Sequence, residues 1–484
     1  MLRRCVILAI AAVSTIQYLV SCKTDTGVPE QSTSVVTVAP PDFESMDLGG
    51  GEFAFLVCDE ATEKYNDLYI WSDGVSGGSV DKAVADRNRD AESKFNIKIR
   101  TKKVHSPRVE VARAIQSGQV DFDVVYERGT QAAVLALSGY LSDIAELPCV
   151  DLGRSYWVPT ATGNLSIAGK TYVATNYITM DSLGWTECIF YNKTMYDSLG
   201  LSESLYDVVK DNKWNIDKYL DLAAIATDDL DGNGIMTSAD RFGIWGDVNE
   251  CLVALSKSSG VTNTQNDSTG FSLGMYNQTV VDVYTRFEEL ISGSSFIGYD
   301  EIWNEYPNLT AFPTRYEAAR NIAFGGGHVL FMQGYLNMTD EFGSMRDDYG
   351  ILPNPLNNPE QQEYYHYIDV TAPVFAVPVD SDYHDNTGII LEYMAYKSEE
   401  SVMPAFFSET VGSNKAYDER DIEIFGIIKN STRYEWTELY GLDITSSILE
   451  KMMTSGSFTS VYNRMSKKAI DEINEVYNIL SSIK

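Results

Sequence analysis

From Glu52 onward, the chain alternates between short apolar runs and longer stretches with an amphipathic pattern. Apolar or alternating runs predict strands, and apolar residues spaced three and four apart predict helices. The predicted order is a strand at Phe53–Val57, a helix at Val80–Phe95, a strand at Asn96–Arg100, a helix at Val109–Gln116 that ends at Gly118, and a strand at Asp121–Val125. This alternation predicts a parallel α/β lobe whose ligands meet the loops at the carboxyl ends of the strands.

The stretch Gly169–Leu201 is predicted to carry the chain out of that lobe. Extended runs at Thr171–Ala174 and Glu187–Tyr191 flank a polar and aromatic passage, and Asn192 begins a helix. A chain that leaves one sheet and enters another through such a corner has the form of a hinge. Trp185, in the middle of the passage, is a candidate platform for a ligand.

The rest of the chain predicts a second lobe and closing helices. The expected elements are a helix from Trp214 to Thr227, a strand at Arg241–Gly246, a helix at Val280–Ser292, a strand in Gly325–Leu336 with a turn at Gly334, a strand at Tyr349–Pro355, a return crossing in Ala372–Asp380, a helix at Asn386–Tyr396 and a C-terminal packing helix. The expected boundaries are a leader at 1–21, a tether at 22–51, a first lobe at 52–177 plus 376–410, and a second lobe with closing helices at 178–375 plus 411–484. The bend is expected either at Met180–Ser182 or at the return crossing near Ala376.

Length and charge limit the possible functions. The chain has 484 residues, and a single core stops growing at about 250–300, so at least two lobes are expected. Its formal net charge is −32, from 37 basic and 69 acidic residues. Because phosphate binding needs a basic face, nucleic acid is not an expected partner. The 30 tyrosines suit recognition of polar ligands through flat, amphipathic rings.

The N-terminus has the pattern of an export signal. Arg3 and Arg4 precede the mostly apolar stretch Cys5–Val20, which is too short and too interrupted for a transmembrane helix. The following Leu19-Val20-Ser21-Cys22 resembles a bacterial lipobox, so Cys22 is the expected lipidation site; an ordinary signal peptide is the alternative. Lys23–Gly51 is rich in Thr, Ser, Pro and Gly and predicts a flexible tether. We therefore expect a lipid-anchored protein on the extracellular face of the cell membrane.

The cysteines leave the disulfide pattern open. Cys58, Cys149, Cys188 and Cys251 follow Cys22, and their spacing does not match a zinc site. Four exported cysteines allow three pairings. Isolated buried thiols are favoured, with one bridge as the alternative.

A calcium-loop pattern is the sharpest local motif. The segment DLDGNGIMTSAD (Asp229–Asp240) places oxygen-bearing residues at positions 1, 3, 5, 9 and 12 and Gly234 at the sixth position, where the loop turns sharply. The candidate ligands are Asp229, Asp231, Asn233, the Ile235 carbonyl and Asp240. Position 12 is Asp rather than the usual Glu. A structural calcium ion is expected here, and a polar loop without metal is the alternative.

Catalytic motifs do not emerge from the sequence. The four histidines do not form HExxH, and neither a GxSxG elbow nor a Walker loop is present. A glycosidase carboxylate pair stays open because acidic residues are abundant. Aromatic residues near predicted strand ends suit the apolar face of a sugar, although core packing is the commoner role of any one of them. They are Trp71, Tyr126, Trp185, Trp245, Tyr335 and Phe458.

Several segments together resemble a known family. The lipobox, the tether, DFDVV, GKTYVATNY, IFYNKTMYDSLGL, and MQGYL followed by YGILPNP are similar to the extracellular solute-binding proteins of ABC importers, in the maltose-binding-like cluster. The segments AVADRNRDAESKFNI, YGILPNPLNNPEQQEYY, ILEYMAYKSEESVMPAFF and NKAYDERDIEIFGII resemble a clostridial-type lipoprotein branch. The resemblance covers nearly all of the chain from Glu52.

The resemblance implies a periplasmic-binding-protein-like α/β fold, in which two lobes close over a ligand in the cleft between them. It implies ligand contacts from Tyr126, Glu127, Trp245, Tyr335 and Phe458. The loop with Trp71 and Asp73 is an insertion relative to simpler members and is a further candidate. The expected function is non-enzymatic delivery of a solute, preferably a carbohydrate, to ABC permease subunits. The alternatives are a secreted polysaccharide hydrolase and a binding protein for a peptide or another polar solute.

Overall fold

The computed structural model describes residues 43, 45–59, 68–75, 77–267, 270–306, 312, 314–342, 345–381, 384–410, 419–455 and 457–483. Ser45–Lys484 form one compact unit. The leader, Cys22 and most of the predicted tether lie outside the described residues. Within the described part of the chain, no helix combines the length and the apolar character needed to cross a bilayer.

The strands and helices follow the predicted alternation. The strands are β1 Glu52–Cys58, β2 Lys98–Val104, β3 Val124–Arg128, β4 Glu187–Asn192, β5 Phe242–Gly246, β6 Thr264–Asp267, β7 Gly270–Leu273, β8 Phe296–Gly298, β9 Val329–Tyr335, β10 Tyr349–Leu352, β11 His366–Tyr367, β12 Pro373–Ala376 and β13 Thr432–Arg433. The helices are α1 Ser79–Phe95, α2 Pro107–Ser117, α3 Gly129–Leu137, α4 Pro159–Thr162, α5 Asp181–Gly184, α6 Lys193–Ser198, α7 Leu205–Lys210, α8 Ile216–Ala226, α9 Val248–Lys257, α10 Gln278–Ser292, α11 Tyr299–Glu305, α12 Arg315–Ala323, α13 His384–Glu400, α14 Val402–Thr410, α15 Glu419–Asn430, α16 Trp436–Leu439, α17 Ile444–Ser455 and α18 Phe458–Ser482.

The first lobe is built on the sheet β12-β3-β1-β2. β1 and β3 are the two interior strands, and Phe53 and Phe55 of β1 are fully buried. β1 pairs in parallel with β2 over its whole length and with β3 through Phe55 and Val124. Helices α1 and α2 make the two crossovers. The carboxyl ends of three parallel strands therefore share one edge.

The second lobe is built on the sheet β10-β4-β9-β5-β8. β4 runs antiparallel to β9 and β10, whereas β5 runs parallel to β8 and β9. The predicted turn at Gly334 is wrong, because this glycine lies inside β9. A Cβ there would lie 2.9 Å from the Met338 sulfur and 3.1 Å from the Phe190 ring. Close side-chain packing, rather than a turn, requires glycine at this position.

Two antiparallel segments connect the lobes. Isolated bridges join Ala174 to Phe375 and Thr186 to Ile368. The Asp369 backbone N–H donates to the Trp185 carbonyl at 3.0 Å. The outgoing and returning chains are therefore held side by side.

Two predicted strands of the first lobe differ from the observed structure. β3 begins three residues later than predicted, because the Asp123 carboxylate accepts the Ala54 N–H (2.8 Å) just before the strand pairing begins. β3 also ends later than predicted, because β12 pairs with it as far as Arg128. The extended run Thr171–Ala174 is not a strand: Ala174 makes only the bridge to Phe375.

The C-terminal helix packs through one apolar stripe, and the cysteines differ in exposure. In α18, the buried residues Val461, Ala469, Ile473, Val476 and Leu480 form one stripe, as their spacing predicts. The helix packs against β7, α3 and α17. Among the described residues, the four cysteines beyond residue 22 form no disulfide with one another. Cys58, Cys188 and Cys251 are buried as predicted, whereas Cys149 is exposed, so the predicted burial is wrong for Cys149.

Candidate ligand-binding site

A cavity lies at one edge of the second sheet, where β5 and β9 end and β4 begins. Trp245 is near the end of β5 and Tyr335 ends β9, while Glu187 begins β4 directly opposite Tyr335. The cavity has a volume of about 30 Å³ and opens to solvent. Its other lining residues are Asp247, Glu250, Cys251, Ala254, Tyr316, Arg320, Gln333, Gly334 and Met338.

Aromatic rings connect this cavity to the crossing segments. The Trp185 ring lies 5.3 Å from the Tyr335 ring at an interplanar angle of 50°. The Tyr335 hydroxyl donates to Asp369 Oδ2 at 3.1 Å. Trp185 and Asp369 belong to the outgoing and returning segments, so Tyr335 at the cavity contacts both crossing segments.

Trp245 presents a polar atom without a partner. Its side chain is 3% exposed. Its Nε1–H makes no hydrogen bond to any described residue. A buried donor without an acceptor costs about 1–3 kcal/mol, so such atoms in a cavity are natural points of ligand contact. A hydroxyl or carbonyl oxygen of a ligand would satisfy it.

Two carboxyl groups in the cavity hold their protons unusually well. Burial raises the pKa of Glu187 to about 7; Lys257 opposes the shift and Glu438 and Asp369 add to it. Glu250 is exposed at the mouth, yet restricted hydration and the charges of Asp247 and Asp369 raise its pKa to about 7. Both groups can therefore donate or accept a hydrogen bond near neutral pH.

The predicted first-lobe residues have partners within the protein. Tyr126 is 2% exposed, and its hydroxyl donates to Asp181 Oδ2 at 2.7 Å. This bond ties β3 to the outgoing crossing. The Glu127 carboxylate accepts the backbone N–H groups of Arg108 and Arg128, both at 2.9 Å. In this state Tyr126 and Glu127 position backbone, and a direct contact with ligand stays a prediction.

Trp71 and Asp73 lie on the loop before α1, at the carboxyl end of β1. Trp71 is 41% exposed. The Asp73 carboxylate accepts the Val75 N–H at 2.9 Å. Neither residue lines the cavity beside Trp245.

Phe458 lies in a different place. Its ring stacks on Tyr276 with centroids 5.5 Å apart and on Tyr462 with centroids 6.2 Å apart. Phe458 and Tyr276 border a separate surface recess, which is also lined by Asn277, Gln278, Val281, Ser457 and Thr459. The structure therefore brings together Trp185, Trp245 and Tyr335 of the predicted set, and it does not bring Phe458 to them.

Sequence reasoning missed the charged lining of the cavity. Asp247 caps α9 by accepting the N–H groups of Asn249 (2.9 Å) and Glu250 (3.0 Å). The run from Trp245 through Gly246 to Asp247 joins a buried strand to a helix cap, and that pattern could have indicated Asp247 and Glu250. Arg320 and Glu187 have no local pattern of this kind.

The predicted calcium loop joins α8 to β5. Oxygen atoms of Asp229, Asp231 and Asp240 lie within 4.8 Å of one another. Asp240 is 2% exposed, and hydrogen bonds from Thr237 and from the Leu230 N–H lower the pKa of its carboxyl. The Asn233 side-chain oxygen accepts the Ile235 N–H at 2.6 Å. The carboxylates thus fit a hard divalent cation, which prefers several oxygen ligands.

No protein-family model matches the sequence, and no curated protein matches it either. Solved structures do resemble the fold. The GacH receptor of Streptomyces glaucescens, solved unliganded and in complex with acarbose, is 14% identical, with 89% of this chain and 99% of that chain covered and a TM-score of 0.51.

Two further structures are similar to the same extent. An ABC substrate-binding protein from Listeria monocytogenes, in complex with cycloalternan, is 15% identical, with 88% of this chain and 99% of that chain covered and a TM-score of 0.51. A sugar transporter from Rhizobium etli, in an open conformation, is 13% identical, with 90% of this chain and all of that chain covered and a TM-score of 0.55. The predicted fold is thereby confirmed: the chain has the two-lobe α/β fold of the periplasmic-binding-protein type.

Proposed function

We propose that this protein binds an extracellular carbohydrate and delivers it to an ABC permease. The observation that carries the proposal is the cavity beside the crossing segments, which is bordered by aromatic rings and carboxyl groups and is lined by Trp245, whose buried indole N–H has no partner among the described residues. Sugars offer an apolar face to such rings and hydroxyls to such polar atoms. The solved structures of the same fold include complexes with acarbose and cycloalternan, which supports the carbohydrate class.

The proposed mechanism is closure of the lobes without a chemical reaction. A ligand that contacts both lobes favours the closed state by its difference in affinity for the two states. The side-by-side crossing segments, bridged through Ala174–Phe375 and Thr186–Ile368, supply the axis. The permease would then recognise the closed arrangement.

The Trp245→Phe variant tests the binding site. This variant keeps an aromatic ring and removes the unpartnered N–H. It is expected to weaken carbohydrate affinity about fivefold to tenfold, the value of one hydrogen bond of about 1 kcal/mol. A thermal-shift screen with maltotriose, acarbose, cycloalternan, cello-oligosaccharides, amino acids and peptides identifies the ligand, since saturation at one hundred times Kd adds about 2.7 kcal/mol of stability. Titration calorimetry then compares the variant with the parent protein.

Trp303→Phe is the matched control, because Trp303 of α11 packs on Arg315 of α12 and does not line the cavity. It should bind as the parent does. Binding of peptides or amino acids but no sugar would contradict the carbohydrate class. Release of reducing ends from an oligosaccharide would replace the transport function with a hydrolase that uses Glu187 or Glu250.

We also propose that the protein is held on the outer face of the cell membrane through lipid on Cys22. The support is the basic, apolar and lipobox-like order of the first 22 residues. The Cys22→Ser variant is expected to move from the membrane fraction to the soluble fraction of cells that process lipoproteins, and to lose incorporated labelled palmitate. Cys149→Ser, at an exposed cysteine, should leave both unchanged. A Cys22→Ser protein that keeps its label would contradict the anchor.

For the loop Asp229–Asp240 we propose a structural calcium ion. The support is the calcium-loop spacing and the proximity of three carboxylates. The ion would be held by Asp229, Asp231, Asn233, the Ile235 carbonyl and Asp240. Its effect would be on stability, because the loop links α8 to β5 in the second lobe.

A further inference from the structure

The charge that borders the cavity is negative. Its charged lining residues among those described are Glu187, Asp247, Glu250 and Arg320. Arg320 compensates these charges only in part: it lowers the pKa of Glu250, but its Nε and Nη2 donate to Glu341 at 3.0 and 2.8 Å. The nearby Lys257 is likewise bound by Glu438 at 2.6 Å.

The three carboxyl groups retain capacity for a ligand. Glu250 accepts no hydrogen bond from the side chains or backbone of the described residues. Glu187 accepts one, from the Asn354 amide at 3.3 Å. In Asp247 the cap of α9 uses Oδ1. The raised pKa values of Glu187 and Glu250 show that their negative charge is poorly compensated without a ligand.

Aromatic rings border the same space. Trp245 and Tyr335 line the cavity, and Tyr316 lines it with 42% of its surface exposed. The faces of such rings attract cations, most strongly where water is displaced. Carboxylates and aromatic faces together suit a positively charged group, which would favour the ionised form of Glu187 and Glu250.

We propose that the solute is a carbohydrate carrying a free, protonated amine, that is, an amino sugar that is not acetylated. This inference rests on the proposed carbohydrate-binding function and narrows its ligand class. The ammonium group would lie among Glu187, Asp247 and Glu250. The Trp245 N–H would donate to a hydroxyl oxygen of the same sugar.

The test is a matched ligand series measured by titration calorimetry. Glucosamine, galactosamine and mannosamine, and the β-1,4-linked oligomers of glucosamine, are each compared with the counterparts in which the amine is acetylated or replaced by hydroxyl. At least one amine form is expected to bind ten times more tightly than both of its counterparts. If no amine form exceeds its counterparts, the amine proposal is overturned. In that case binding of any neutral sugar still supports carbohydrate transport, and no binding by any sugar overturns both.

The Glu250→Gln variant locates the ammonium group. Because Glu250 is exposed at the mouth, the substitution should leave the fold intact, and circular dichroism verifies this. The affinity for the amine form is expected to fall more than the affinity for the hydroxyl counterpart, so that the preference for the amine form falls at least fivefold. Glu289→Gln, at an exposed position of α10, should alter neither. An unchanged preference in both Glu250→Gln and Glu187→Gln would contradict the assignment.

Discussion

Replacing Arg87 with methionine is expected to cost the protein about 3–5 kcal/mol of unfolding free energy. Arg87 is 2% exposed, in the middle of α1. Its guanidinium donates to the backbone carbonyls of Tyr69 (2.9 Å), Ile70 (3.0 Å) and Ile178 (3.0 Å). Methionine fills much of the space but removes all of these bonds, and a buried carbonyl that loses its donor costs about 1–3 kcal/mol. The Ile70 carbonyl still accepts from the Asn88 amide at 2.8 Å.

The effect should extend beyond stability, because Arg87 joins separate parts of the first lobe. Ile178 belongs to the outgoing crossing, and Tyr69 and Ile70 directly precede Trp71. The same guanidinium donates to the Ser398 hydroxyl of α13 at 3.0 Å. Burial lowers the pKa of Arg87 to about 9, so the side chain stays charged at neutral pH. Loss of these hydrogen bonds should increase the mobility of the loop before α1 and of the outgoing crossing together.

Urea unfolding followed by circular dichroism measures the effect, and Arg89→Met on the same helix is the control. The Arg89 side chain is 64% exposed and pairs with Asp86 at the surface, so this change should stay within about 0.5 kcal/mol of the parent. Equal midpoints for the two variants would show that Arg87 does not hold the lobe together.

The sequence predicted the elements whose periodicity is local. The strand at Phe53–Val57, the helix at Val80–Phe95 and the strand at Glu187–Tyr191 lie where the pattern places them. It did not predict the full extent of β3, since Tyr126 and Glu127 look like loop residues until β12 pairs with them from about 250 residues away. It also misread Gly334, because close packing and turns both select glycine.

The same distinction between local sequence patterns and contacts of distant segments applies to the candidate site. Trp245 and Tyr335 could be found because aromatic residues at predicted strand ends are rare enough to notice. Glu187 and Glu250 could not be singled out among 69 acidic residues. They become notable only when antiparallel pairing of β4 with β9 and the cap at Asp247 bring them to one cavity. Arg87 was missed because an arginine in an amphipathic helix ordinarily faces water.

Calcium is expected to stabilise the protein by about 2.7 kcal/mol when its concentration is one hundred times Kd. Without a cation, the oxygens of Asp229, Asp231 and Asp240 lie within 4.8 Å of one another, and like charges at such distances repel. A bound ion replaces this repulsion with attraction to each carboxylate. Differential scanning calorimetry with EDTA, then with a calcium titration, measures the change, and magnesium at equal concentration tests selectivity.

The Asp231→Asn variant distinguishes an ion site from a polar loop, because the difference in unfolding temperature between variant and parent should change sign when calcium replaces EDTA. In EDTA it should unfold at the same temperature as the parent or slightly above it, because one repelling charge is gone from an exposed position. In calcium it should unfold well below the parent, because a charged ligand is lost. Asp221→Asn, at an exposed position of α8, should follow the parent in both buffers. If calcium leaves the parent unchanged, the hydrogen bonds from Thr237 and Leu230 to Asp240 are by themselves sufficient to hold the loop closed.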